Sequence, residues 1–163
     1  MILLREFRTQ DTDSLVRHLN NEHVVRYLTS RIPFPYTQND AQWWIQTGCK
    51  DGVVKAIEYM GELAGTVGAH PGDHQHARTA EIGYWLGEEF WGKGIATEAV
   101  RIMTDEIFST TDIVRLFAPV FSPNKASMRV LEKCGYKLDG ILEKGVYKNG
   151  VFMNEYIYSR VHS

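Results

Sequence analysis

The stretch Tyr84-Trp85-Leu86-Gly87-Glu88-Glu89-Phe90-Trp91-Gly92-Lys93-Gly94-Ile95-Ala96-Thr97-Glu98-Ala99 decides the reading of this chain. An apolar strand runs into a glycine-punctuated loop, and the loop opens directly into a helix. Backbone N–H groups at a helix start have no partner inside the helix, and the helix dipole adds partial positive charge there. The arrangement therefore predicts a phosphate site. Two other glycine loops fail in detail. For an ATP-type loop, Gly87, Gly92 and Lys93 have the spacing, but Gly94 replaces the Mg²⁺-binding hydroxyl and Glu88 and Glu89 would repel a triphosphate. For a dinucleotide fingerprint, Thr97 replaces the third glycine. Asp112 also precedes a strand instead of ending one, so no ribose contact is expected.

A second segment lies downstream, Asn124-Lys125-Ala126-Ser127-Met128-Arg129-Val130-Leu131-Glu132-Lys133-Cys134-Gly135-Tyr136. The run Trp91 to Ala99 resembles the acetyl-CoA pyrophosphate loop of the GNAT superfamily of N-acetyltransferases. Gly94 and Ala96 fill the last two marked positions of its Arg/Gln-x-x-Gly-x-Gly/Ala pattern, and Trp91 stands where Arg or Gln is usual. The second segment resembles the family's Asn-x-x-Ser/Ala…Gly-Phe/Tyr stretch. The likeness is greatest to the RimJ/RimL-like branch, which acetylates ribosomal-protein N-termini. Leu4-Arg5-Glu6-Phe7, Pro33-Phe34-Pro35-Tyr36 and the hairpin from Gly140 to Arg160 also resemble that branch, so the resemblance covers nearly the whole chain.

Composition suits a compact enzyme. The chain has 163 residues, 44% hydrophobic and 23% charged, which predicts a single domain over 1–163 with a full core. A net charge of -2 offers no basic footprint for nucleic acid. No run reaches membrane-spanning length, and no signal-peptide profile is seen. Cys49 and Cys134 are too few for a disulfide framework, so a reducing cytoplasm is the expected compartment.

Periodicity predicts the elements. Ile2 to Phe7 reads as a strand, a helix follows from about Asp11 on Leu15, Val16 and Leu19, and Val24, Val25 and Leu28 suggest a short second helix. Thr37 can cap a helix reaching Thr47. Val53 to Tyr59 and Leu63 to Ala69 form a hairpin, His70 to Ala77 a polar loop, and Thr79 to Leu86 the strand feeding the glycine loop. The next helix spans Ile95 to Phe108, with Ile95, Ala99, Ile102, Met103 and Ile107 inward. A strand from Ile113 to Val120, a helix from Asn124 to Cys134 stopped by Gly135, and two long strands joined at Asn149-Gly150 complete the chain. The expected class is α/β (α+β): one mixed, mostly antiparallel sheet with helices on both faces. The resemblance adds the GNAT fold, in which two central strands splay to admit the pantetheine arm.

The resemblance implies acetyl transfer from acetyl-CoA to a primary amine by direct attack. Backbone groups of Gly92, Lys93, Gly94, Ile95, Ala96 and Thr97, with Trp91 beside them, are expected to hold the pyrophosphate. Tyr84, Trp85 and Leu86 are expected to pair with the pantetheine amides, with the Leu86 N–H polarising the thioester carbonyl. Asn124 matches the residue that bonds the pantetheine arm, although a helix N-cap reads equally well. Ser127 matches a serine that protonates the departing thiolate, or is a back-bonded helix serine. The tyrosine acid of other members is replaced by Leu131.

For the base, Glu81 shares a strand face with Gly83 and Trp85. Apolar neighbours there would raise its pKa, and the alternative is an exposed or ion-paired glutamate. Glu143 is a second candidate. His74-Gln75-His76 reads as a solvated loop, and no metal site is expected. His70 is read as a strand-end residue, and Trp43 and Trp44 as divided between core and substrate groove. Cys134 has no partner that would make it a nucleophile. The acceptor implied is a protein N-terminal α-amine, with a small amine as the alternative and a non-catalytic acyl-CoA sensor as the reading from another class. Acceptor contacts are expected near residues 24–45, 70–77 and 140–150, in a monomer or homodimer.

Overall fold

In the computed structural model, which describes residues 1–163, alternation along the strand before the glycine loop separates two cores. The strands are β1 (Ile2–Arg5), β2 (Val53–Tyr59), β3 (Glu62–Pro71), β4 (Thr79–Leu86), β5 (Arg115–Phe121), β6 (Lys137–Lys148) and β7 (Val151–Val161). They form one sheet in the order β1-β2-β3-β4-β5-β7-β6. The helices are α1 (Thr12–Leu19), α2 (Glu22–Val25), α3 (Gln38–Gln46), α4 (Ile95–Thr110) and α5 (Lys125–Lys133).

One sheet face carries Ile82 of β4 and Leu116, Ala118 and Val120 of β5 beneath Ala99, Val100, Met103 and Ile107 of α4 and Leu131 of α5. The other face packs Ala56 and Leu63 against Leu15 and Leu19 of α1 and Ala41 of α3. Each fully buried leucine or isoleucine in these layers contributes about 1.5–3 kcal/mol. The expected mixed, mostly antiparallel sheet with helices on both faces is what forms.

Only β4 and β5 run parallel, and they pair solely at Thr79↔Arg115, Ala80↔Leu116 and Glu81↔Phe117. Beyond Glu81, β4 stays with β3 to Leu86↔Gly65, whereas β5 stays with β7 to Phe121↔Glu155. The sheet therefore opens into a V whose arms are Ile82–Leu86 and Ala118–Phe121.

Local chemistry sets the ends. Thr37 caps α3 reciprocally with Asp40, and Asn124 caps α5 by accepting the Ser127 N–H. Gly135, at φ 85°, ends the α5 segment in the left-handed region. Asn149 and Gly150 both have positive φ, as a two-residue hairpin turn requires.

Four expectations shift. The first strand stops at Arg5, whose guanidinium bridges Glu58 of β2 and Asp11 at the turn into α1. β3 extends through His70 and Pro71, which pair with Glu81 and Ala80, so the polar loop begins at Gly72. Ile113 is buried but precedes β5. Ile102 is exposed; Val100 and Thr104 take inward positions, so the buried stripe of α4 runs through Val100, Met103, Thr104 and Ile107.

Candidate active site

The glycine loop meets the cleft at the start of α4. Gly94 is the N-cap of α4 at φ 77°, and Gly92 has φ 73°. Both face open space where a Cβ would project. The first intrahelical bond of α4 runs from the Glu98 N–H to the Gly94 carbonyl. That leaves the N–H groups of Ile95, Ala96 and Thr97 without intrahelical acceptors. Gly87 is constrained differently: a Cβ there would stand 2.3 Å from Nδ1 of His18, so the loop lies directly on the buried imidazole.

Ladder geometry exposes the edge of β4. The Gly87 N–H donates to the Ala64 carbonyl, so Gly87 and Ala64 are a hydrogen-bonded antiparallel pair. Leu86↔Gly65 and Tyr84↔Val67 are then non-bonded pairs, and the N–H groups of Leu86 and Tyr84 point away from β3 into the V. The Leu86 carbonyl accepts the Trp91 indole N–H at 3.0 Å, which fastens the loop back onto the strand.

The α5 helix supplies the facing wall. The Tyr84 hydroxyl lies 2.6 Å from Ser127 Oγ. Burial pushes the Tyr84 phenol well above its ordinary range, although the serine contact opposes this. A cavity of about 560 Å³ joins these parts: Tyr84, Trp85 and Leu86, the loop with Ile95 to Thr97, and Asn124 and Ser127 all line it. Lys93 is exposed and outside its wall. His23, Val24, Arg26, Tyr27 and Leu28 form a third side, at the start of the 24–45 stretch expected to meet the acceptor. Lys148 ties this segment to the β6–β7 hairpin by donating to the Val25 and Leu28 carbonyls at 2.6 Å each.

The carboxylates lie elsewhere on the sheet. Glu81 does share a face with Gly83 and Trp85, but it is exposed and lines a separate polar recess with His70, Asp73 and His76. Phe117, its partner on β5, is the one apolar side chain of that recess. The carboxyl held above the ordinary range is Glu155 of β7, raised by burial and then by the charge of Glu81. The register sets Glu155 opposite Phe121, whereas Glu81 stands opposite Phe117 four residues earlier on β5. Glu143 is exposed on the irregular part of β6. Asn124 is the cap of α5, as one of its two readings expected.

The donors fit a coenzyme A ligand: neutral, unpaired amides suit a diphosphate, and the open β4 edge suits an amide-bearing arm. Comparison agrees. The family profile described as Acetyltransferase (GNAT) domain matches residues 1–137. The chain belongs to the GNAT family of acetyltransferases, and it is an N-acetyltransferase that uses acetyl-CoA. The uncharacterized N-acetyltransferase YoaA of Bacillus subtilis is 34% identical over 98% of this chain and 93% of its own. The putative ribosomal N-acetyltransferase YdaF of the same organism is 34% identical over 72% of this chain and 63% of its own. The microcin C7 self-immunity acetyltransferase MccE, solved with acetyl-CoA and AMP, superposes with a TM-score of 0.83 at 29% identity, covering 98% of this chain and 92% of that one.

Proposed function

We propose that the chain acetylates the α-amine of a protein N-terminus, with Ser127 as the proton donor to the leaving group. The observation that carries the site assignment is the convergence of the α4 amides, the free β4 edge and the Ser127 hydroxyl on one cavity. The amides of Gly92 to Thr97 hold the diphosphate. The Tyr84 and Leu86 backbone groups hold the pantetheine arm, and Asn124 borders it while capping α5. The amine nitrogen attacks the thioester carbonyl carbon, and the Leu86 N–H stabilises the oxyanion that develops. As the C–S bond breaks, Ser127 Oγ–H donates to the sulfur. The Tyr84 hydroxyl, 2.6 Å from Ser127 Oγ and donating to the Ser127 carbonyl at 3.2 Å, holds the serine in place at the cleft. The proton lost by the amine passes through water to one carboxylate, Glu81 or Glu155, and water returns a proton to Ser127 Oγ, so turnover closes on the amide and the free thiol.

A terminal amine suits these groups. Its ordinary pKa of about 7.7–8.0 leaves a useful neutral fraction near neutral pH, whereas a lysine side chain at about 10.4 needs a strong base. The similarity to YdaF, described as a putative ribosomal N-acetyltransferase, points the same way. The test is a screen of matched peptides with either the α-amine or the lysine amine blocked, alongside small amines, read by release of free CoA thiol. Faster turnover of the lysine-only peptide or of a small amine refutes the terminal-amine assignment.

A further inference from the structure

Asn20 closes a long excursion of the chain between α1 and α3. Its side chain donates to the Tyr36 carbonyl at 2.7 Å and accepts the Tyr36 N–H at 2.7 Å. Between these two residues the regular structure is α2, four residues long, and residues 26–37 form neither helix nor strand. A single helical turn has little stability of its own. Val24 packs into the second core, with Val25, Leu28 and Ile32 against it. Apolar contact is non-directional, so polar ties decide which way the excursion leans.

Two such ties lead to opposite arms of the V. Glu88, in the loop that β4 enters, accepts from the Asn21 side-chain amide at 2.7 Å and lies 3.1 Å from Nδ1 of His23. Lys148, at the end of β6, donates to the Val25 and Leu28 carbonyls, and β6 reaches β5 through β7. Residues 23–28 therefore bridge the structures carried by the two arms, and they line the cavity between them. The Glu88 bonds are exposed to competing water. Lys148 is half-buried, and no carboxylate pairs with it. Burial pushes its ammonium below the ordinary value. A charge leaves water only where acceptors replace it, and here both acceptors are backbone carbonyls of one segment. Lys148 lies outside the cavity wall, so it acts through the segment it holds.

We propose that Lys148 is the positioning residue for the acceptor: by fastening residues 25–28 to the β6–β7 hairpin, it sets the wall against which the amine-bearing substrate binds. The proposal rests on the acetyl-transfer site assigned above. The coenzyme is held there by the α4 amides and the β4 edge, and Lys148 bonds to neither. Loss of the tie should weaken acceptor binding and leave coenzyme binding alone.

Lys148→Met removes the donors and keeps the apolar stem. The probe is the fastest acceptor of the CoA-release screen, peptide or small amine, so the terminal-amine reading can fail while Lys148 is still tested. Lys148→Met should raise the KM for that acceptor about tenfold, with kcat within about twofold. Its Kd for CoA, by calorimetry, should match the wild type, and amide hydrogen exchange at residues 23–28 should quicken. Lys148→Arg, which keeps charge-assisted donors, should recover most of the loss. Lys137→Met, at the exposed far end of β6, should behave as the wild type. Lys148→Gln carries the same comparison if the methionine variant does not fold. An unchanged acceptor KM, or a loss of CoA affinity as large as the loss for the acceptor, overturns the role of Lys148 and leaves the acetyltransferase site standing. Absence of turnover by the wild type with every amine overturns both.

Discussion

The hydroxyl of Tyr84 stands 2.6 Å from Oγ of Ser127, joining the strand that feeds the glycine loop to the helix that faces it. The two residues lie 43 positions apart, and each is held by its own element: Tyr84 by the β3–β4 ladder, Ser127 by the Asn124 cap. The bond links one arm of the V to α5, beside the point where the thioester is proposed to lie.

Ser127→Ala should therefore lower kcat by roughly 10²-fold or more, with little change in the KM for acetyl-CoA. Tyr84→Phe keeps the serine and removes only the group that orients it, so its loss in kcat should be smaller. Steady-state kinetics of both variants checks the order. An unchanged kcat in Ser127→Ala with lowered stability would make the serine a structural helix residue.

Gly94→Glu should weaken CoA binding by at least an order of magnitude, about 1.4 kcal/mol. The φ of 77° strains any side chain there, so Gly94→Ala is the control. A charge effect at the phosphate loop appears as a much larger loss of affinity in the glutamate variant than in the alanine variant, measured by titration with CoA.

Gly87→Ala should destabilise the fold by about 1–3 kcal/mol, because the new methyl meets the His18 ring inside a filled core. His18→Ala should relieve that cost in the double variant. Thermal melts of the two single variants and the double variant measure the coupling.

Acid should unfold the protein in two stages. His18 is held below its ordinary value of 6.5, by burial above all, with its Nε2–H donating to the Leu63 carbonyl at 2.9 Å. The unfolded state then binds the proton first, so stability falls as pH drops below about 6.5. Burial pushes the Asp11 carboxyl up, but bonds from Arg5 and the Arg8 amide outweigh it and hold the group below its ordinary 3.8. Its contribution is lost lower, as pH falls through that depressed value. Chemical denaturation across pH should show both losses, and His18→Gln should remove the first.

Glu155 should titrate above the ordinary glutamate range, and Glu81→Gln should bring it down by removing a neighbouring negative charge. Carbon-detected NMR of the carboxyl groups measures this directly. If either carboxylate takes up the amine proton, Glu155→Gln should also alter the acidic limb of kcat/KM.

The glycine loop opening into α4, the order of strands and helices, the Thr37 and Asn124 caps and the closing hairpin turn were all legible in the chain. Each depends on neighbours in sequence: period, cap chemistry and positive-φ positions act over a few residues. Three matters belonged to the tertiary structure. The V arises because β4 and β5 share only three residue pairs, after which β4 continues along β3 and β5 along β7. The pairing of Tyr84 with Ser127 depends on α5 docking over β4. The carboxyl of raised pKa is Glu155, which burial and the nearby charge of Glu81 single out. Alternation along a strand tells which residues share a face. Only the register and packing of the assembled sheet decide which of them leave water.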